Sequence, residues 1–255
     1  MDEPLLWLGL AAVAAGFVDA VVGGGGLIQL PALLLAFPGA APVQLLATNK
    51  ISAVAGTTVS AATYYRRIRP DPRTFGPLMA CSFAGAVGGS LVASLLPRSV
   101  FDPIVLAALV LVGTYVWFKP SLGEATRLRF TGRRHVTLAM LAGVIIGFYD
   151  GALGPGTGSF FVFSLVGLLG YSFLDASAKA RLANMATNLG SLVVFLPMGA
   201  VMWRVGLVMA VCNIVGGYVG ARVAVAKGAA FVRVFFLVVV AAFVVRIGGG
   251  LAGFW

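Results

Sequence analysis

Residues 16–31 read GFVDAVVGGGGLIQLP. A carboxylate, Asp19, sits near the end of an apolar helical run, and Gly23, Gly24, Gly25 and Gly26 break that run before it resumes as LIQLPALLLAF. In hydrocarbon every backbone N–H and C=O needs a partner, so irregular backbone at membrane depth persists only where protein or water covers it. The amides freed at the break become the N-terminus of the next short helix, which carries partial positive charge and suits an anion. A plain membrane anchor has no use for such a stretch; a binding site does.

The same phrase returns as GFYDGALGPGTGSFFVF at residues 147–163. Gly147, Phe148, Asp150, Gly154 and Gly156 fall on Gly16, Phe17, Asp19, Gly23 and Gly25 at an offset of 131 residues. The register continues without a gap through Ser60 and Ser191, Cys81 and Cys212, Gly85 and Gly216, and Gly89 and Gly220. Asp and Cys are rare in this chain and both land on the register, which argues for an internal duplication. Interrupted apolar segments at corresponding places in two halves are the sequence pointer to a transporter's substrate site.

The composition sets the solvent. Of 255 residues, 60% are hydrophobic and 10% charged, against about 25% charged in soluble domains, and the mean hydropathy is +1.01. The formal charge of +10 comes mostly from short loops between apolar spans, as cytoplasmic positive bias requires, and no aromatic-basic motif accompanies it, so nucleic acid is excluded. Cys81 and Cys212 lie inside apolar spans and read as small packing residues. With His135 the sole histidine, neither a metal centre nor a cofactor site is predicted. The first residues are acidic where a signal peptide wants Lys or Arg, so the first apolar run reads as a retained span.

A membrane helix needs about 20 mostly apolar residues. Spans are predicted at 4–22, 43–65, 75–96 and 100–118, and again at 136–153, 176–198, 205–226 and 229–253. Short apolar pieces follow each glycine break, at 27–37 and 158–169. Residues 1–118 form a first repeat, 119–135 a basic linker and 136–255 a second repeat. If the short pieces re-enter without crossing, the loops after the second, fourth and sixth spans share a side. If they cross, the repeats are inverted and Arg204 falls on the side opposite the linker. Positive bias favours the first arrangement by that one arginine.

Polar groups inside spans are expensive and ask for a partner or a water-filled path. Asp19 and Asp150 read either as hydrogen-bond acceptors for the freed amides or as carboxylates that couple a proton or gate the substrate. Lys50 and Arg181 are equivalent on the 131 offset, and a cation so placed either snorkels to the interface or holds an anion. Around them stand Thr48, Asn49 and Thr57, and in the second half Asn184, Thr187 and Asn188. Arg181, Asn184 and Asn188 at i, i+3 and i+7 share one helix face. Four glycines in a row, answered by Gly154, Gly156, Thr157 and Gly158, exceed what a tight turn needs and argue for close approach of backbone to a bound group. No Walker pattern, GxSxG elbow or acid/base pair is present, so no enzymatic activity is expected.

GFVDAVVGGGGLIQLP with ATNKISAVAGT, and GFYDGALGPGTGSFFV with KARLANMATNLGSLVVF, resemble the TauE/SafE family of sulfite and organosulfonate exporters over nearly the whole chain. The resemblance implies a multi-pass protein of the cytoplasmic (inner) membrane that moves sulfur-containing anions such as sulfite or sulfoacetate, usually outward. It marks Gly23 to Gly26, Thr48, Asn49, Lys50, Gly154 to Gly158, Arg181, Asn184 and Asn188; Arg181 stands where the family often has lysine. The expectation is therefore an all-α polytopic membrane protein of about eight transmembrane helices in two homologous halves, with broken or re-entrant helices after the glycine motifs. It would export a small sulfur-containing anion by alternating access, against the alternative of an importer or channel-like permease for another small anion. Its partners are that anion and the lipid bilayer, and a homo-oligomer stays open.

Overall fold

The computed structural model describes residues 3–93 and 123–251. The last three residues of the span predicted at 75–96, the whole span predicted at 100–118, the first residues of the linker and the last two residues of the final span lie outside the described residues. Every regular element described is helical: α1 (Glu3–Val22), α2 (Gly26–Ala36), α3 (Pro42–Ile68), α4 (Pro72–Val92), α5 (Gly132–Ala152), α6 (Thr157–Ser164), α7 (Phe173–Phe195) and α8 (Trp203–Leu251). A π-helical turn, Leu165–Leu169, extends α6. Gly228, at φ 76°, splits α8 into the two spans read from the sequence. Helix α5 begins at Gly132, so it takes in the last residues assigned above to the linker.

Local chemistry sets these boundaries. Asp71 caps α4 by accepting from the Arg73 amide at 3.0 Å, with Pro72 in the first turn, where its missing N–H costs nothing. Ser172 caps α7 through the Asp175 amide at 3.1 Å. Pro42 opens α3, where the Gln44 side chain reaches back to the Ala41 amide. Among the described residues, four segments are long and apolar enough to cross a membrane: Leu5–Val22, Pro72–Val92, Gly132–Ala152 and Trp203–Ala242. Helices α3 and α7 are equally long but carry the polar residues of the site, which lowers their hydropathy and not their reach.

The starts of α2, α3 and α4 at 26, 42 and 72 are answered by those of α6, α7 and α8 at 157, 173 and 203, each on the offset of 131. The packing has the same symmetry. Gly85 and Gly89 of α4 lie against the Val144 and Phe148 carbonyls of α5, and Gly216 and Gly220 of α8 lie against those of Val13 and Phe17 of α1. Cβ atoms at these glycines would collide with backbone, so close approach requires glycine here.

These contacts also give directions. Gly143, Gly147 and Gly151 of α5 meet Leu78, Ser82 and Ala86 of α4 in ascending order, so α4 and α5 run parallel; α1 and the first arm of α8 do likewise. Helix α2 turns back along α1, with Gly25 beside Ala15 and Asp19 and Leu33 packed in one cluster with Leu8 and Leu45. The pair is a hairpin that enters and leaves at one end. Helices α5 and α6 form a second hairpin at the opposite end, where His135 and Tyr171 meet at 2.8 Å, with Thr74 adjoining. Residues 66–73 lie at this second end. The start of α8 lies at the first, since the amide of Met202 just before it donates to Thr48 Oγ1 near the start of α3 at 3.0 Å. The side assignment favoured by the loop charges is thus corrected: Arg204 sits at the end opposite the 66–73 loop and the linker, because each short helix carries the chain back to the end where it entered.

Two apolar clusters close the ends of the molecule. One gathers Leu8, Leu33, Leu45, Phe195 and Val205; the other gathers Val22, Tyr64, Leu78, Phe161, Phe173 and Phe236. Between them α3 and α7 carry a buried polar layer that includes Lys50, Ser52, Arg181, Asn184 and Asn188.

Candidate functional site

The two glycine breaks meet in that polar layer. Gly23 (φ 92°) and Gly154 (φ 91°) hold the same left-handed conformation at equivalent positions, one that a side chain would strain. The Ser159 amide in the first turn of α6 donates to the Gly23 carbonyl at 3.2 Å, and the Ser159 hydroxyl donates to Val22 O at 3.0 Å. Gly158 is packed so closely on Gly23 that neither has room for a Cβ.

Two ion pairs cross between the repeats. Lys50 on α3 reaches Asp150 at the end of α5, with Nζ 2.6 Å from Oδ2 and 3.0 Å from the Asp150 carbonyl. Arg181 on α7 reaches Asp19 at the end of α1, with Nη1 3.1 Å from Oδ2 and also bonded to the Asp19 carbonyl. Each cation therefore pairs with the carboxylate of the other repeat. The four charges cancel, and charges so deeply buried persist only when paired.

The two pairs differ in how completely their atoms are used. Asp150 accepts a further bond from Thr157 Oγ1 at 2.7 Å, so the Lys50 side is saturated. Asp19 accepts from the Gly25 amide at 3.3 Å, its expected structural role. Arg181 is fully buried, yet its Nε and Nη2 have no partner, and neither has Nδ2 of the buried Asn188. A buried donor left unpaired costs about 1–3 kcal/mol. That surplus of donors is the site's distinguishing feature.

A small cavity of about 20 Å³, room for about one water molecule, opens beside Asp19, Lys50, Asp150 and Asn188. Of the residues singled out in the sequence, Asp19, Gly23, Gly25, Gly26, Asn49 and Lys50 line it from the first repeat. Asp150, Gly154, Gly156, Thr157, Gly158, Asn184 and Asn188 line it from the second. Arg181 stands behind the wall, its Nη2 against Gly158. Three expected residues are not brought there. Gly24 does not line the cavity, Thr48 binds the Gln44 carbonyl and the Met202 amide, and Thr57 binds its own helix at the Ala53 carbonyl, 2.7 Å away. Thr187 likewise bonds back to Asn184. A hydroxyl satisfied by the preceding turn is not aimed at a ligand.

The sequence reading missed Gln29 and Asn213, which both line the cavity and both donate to Ser52 Oγ at 3.1 Å. Their signal was present: each is an amide inside an apolar stretch, LIQLP for Gln29 and VGLVMAVCNIVGG for Asn213, where a polar group needs a polar neighbour. Cys81 and Cys212 are unpaired and partly exposed.

A family model described as Sulfite exporter TauE/SafE matches residues 8–247. The probable membrane transporter protein ORF9 of Sinorhizobium is 38% identical over 95% of this chain and 92% of its own length. The probable membrane transporter protein YfcA of Escherichia coli K12 is 36% identical over 94% of this chain and 88% of its own. A probable membrane transporter protein of Haemophilus influenzae is 36% identical over 86% and 84%. No solved structure matches the chain.

Proposed function

From the premise that this chain belongs to the TauE/SafE family, and is thus a multi-pass membrane transporter and not an enzyme, we propose that it exports a small sulfur oxyanion, sulfite or an organosulfonate such as sulfoacetate. The observation that carries the reading is the buried guanidinium of Arg181 with two unpaired nitrogens, on the same helix as the unpaired amide of Asn188. An oxyanion offers several acceptor atoms to a site with donors to spare, and a planar guanidinium meets two of them at once. The N-termini of α2 and α6, whose first residues Gly26, Thr157 and Gly158 line the same cavity, add partial positive charge.

The chain forms two repeats, 1–118 and 136–255, of opposite orientation in the membrane, with the arginine-rich 66–73 loop and the linker on the cytoplasmic face. The cavity as it stands is too small for a four-atom oxyanion, and the apolar clusters close it at both ends. The two hairpins rock apart to open one cluster at a time. As the anion engages Arg181, Asp19 loses its counter-ion and takes up a proton, so anion and proton leave together and outflow follows the anion's own gradient. Lys50 and Asp150, already saturated, latch α3 to the second break.

A thermal-shift screen of the purified chain with sulfite, sulfoacetate, taurine, sulfate and thiosulfate tests the substrate class. Sulfite or sulfoacetate should raise the melting temperature in a saturable way. A shift from sulfate alone, or from none of the five, would contradict the assignment.

A further inference from the structure

A second cavity lies away from the transport site, between α3 and α8 at the basic end. It has a volume of about 440 Å³ and is lined by Arg66, Arg67 and Arg222, with Tyr218, Thr63 and Ala226 beside them. Arg222 is held in place by its neighbour: Nη1 donates to Tyr218 Oη at 2.9 Å, and the guanidinium lies 5.4 Å from that ring's centroid. None of the three arginines has an acidic partner among the described residues, and Asp71, the acid of the adjoining loop, is committed to capping α4. Three unneutralised guanidiniums from two helices, facing one cleft, make a strong anion site.

The surroundings say which anion. Below Arg222 the exposed face of α8 carries Tyr218, Val215, Val211 and Leu207 in an apolar stripe running toward mid-membrane. On α3 the small residues Thr58 and Ala62 are exposed as well. A cluster of arginines above an exposed apolar stripe fits a phosphate headgroup with acyl chains beneath it. We infer that this cleft binds the phosphodiester of an anionic membrane phospholipid, with guanidiniums on the phosphate and the tails lying along α8.

Native mass spectrometry of the full-length chain in detergent, titrated with dioleoyl phosphatidylglycerol, dioleoyl phosphatidylcholine or inorganic phosphate, tests this. Phosphatidylglycerol should bind at one site at least ten-fold more tightly than phosphatidylcholine. The Arg67→Gln/Arg222→Gln variant should lose roughly thirty-fold in that affinity, and Arg67→Lys/Arg222→Lys should recover most of it. Ala226→Glu, an exposed change that leaves every arginine in place, should weaken binding in the same direction and guards against misfolding of the arginine variants. Equal binding of the two lipids, unchanged affinity in Ala226→Glu, or inorganic phosphate binding as tightly as phosphatidylglycerol would overturn the lipid site.

Discussion

Removing Lys50 alone strands Asp150 in the interior, so Lys50→Met should destabilise the folded chain by about 3–5 kcal/mol. The neutral double variant Lys50→Met/Asp150→Asn removes both charges and should recover most of that loss, read by thermal unfolding in detergent. Arg181 makes a different prediction. Arg181→Lys keeps the ion pair with Asp19 and hence the fold, but it gives up the planar fork whose Nε and Nη2 have no protein partner and are proposed to hold the anion. The expected result is a KM for sulfite raised ten-fold or more in proteoliposomes, with stability little changed. The identities of these four charged residues were legible in the sequence, since their register marks them as two matched sets. Their pairing was not. An offset of 131 allows Lys50 to meet either Asp19 or Asp150, and the tertiary packing places it against Asp150, the carboxylate of the other repeat.

At the scale of elements, the close contacts between α4 and α5 and between α1 and α8 are made by glycines whose places the duplicated register had already flagged. Gly88 and Gly89 are adjacent but not alike. A Cβ at Gly89 would strike the Phe148 carbonyl, whereas at Gly88 it would touch only the Phe148 ring at an ordinary 3.7 Å. Gly89→Ala should therefore cost about 1–3 kcal/mol through overpacking, while Gly88→Ala should be neutral or stabilise by up to about 1 kcal/mol through reduced backbone entropy. Differential scanning fluorimetry on the pair checks both. The sequence located the breaks and the helices beginning at them, because apolar runs and glycines are local signals. It overstated Thr48 and Thr57, because a hydroxyl inside a helix satisfies itself on the preceding turn and composition does not reveal where it points.

For the whole molecule, the parallel packing of α4 with α5 and of α1 with α8 places the 66–73 loop and the segment before α8 at opposite ends. Counting charges in loops could not settle this, because one arginine decided the count and the return paths of α2 and α6 are set by tertiary contacts. In a cysteine-free background, Arg73→Cys should be labelled by a membrane-impermeant maleimide only from the cytoplasmic side and Met198→Cys only from outside; labelling from the same side would refute inverted repeats. The transport mechanism itself turns on whether the Arg181–Asp19 pair gives way to an anion. Saturable flux of radiolabelled sulfite into proteoliposomes should vanish in the charge-balanced Arg181→Met/Asp19→Asn variant while the protein stays folded and monodisperse. Saturable flux at the wild-type level in that variant would contradict an anion site built on Arg181.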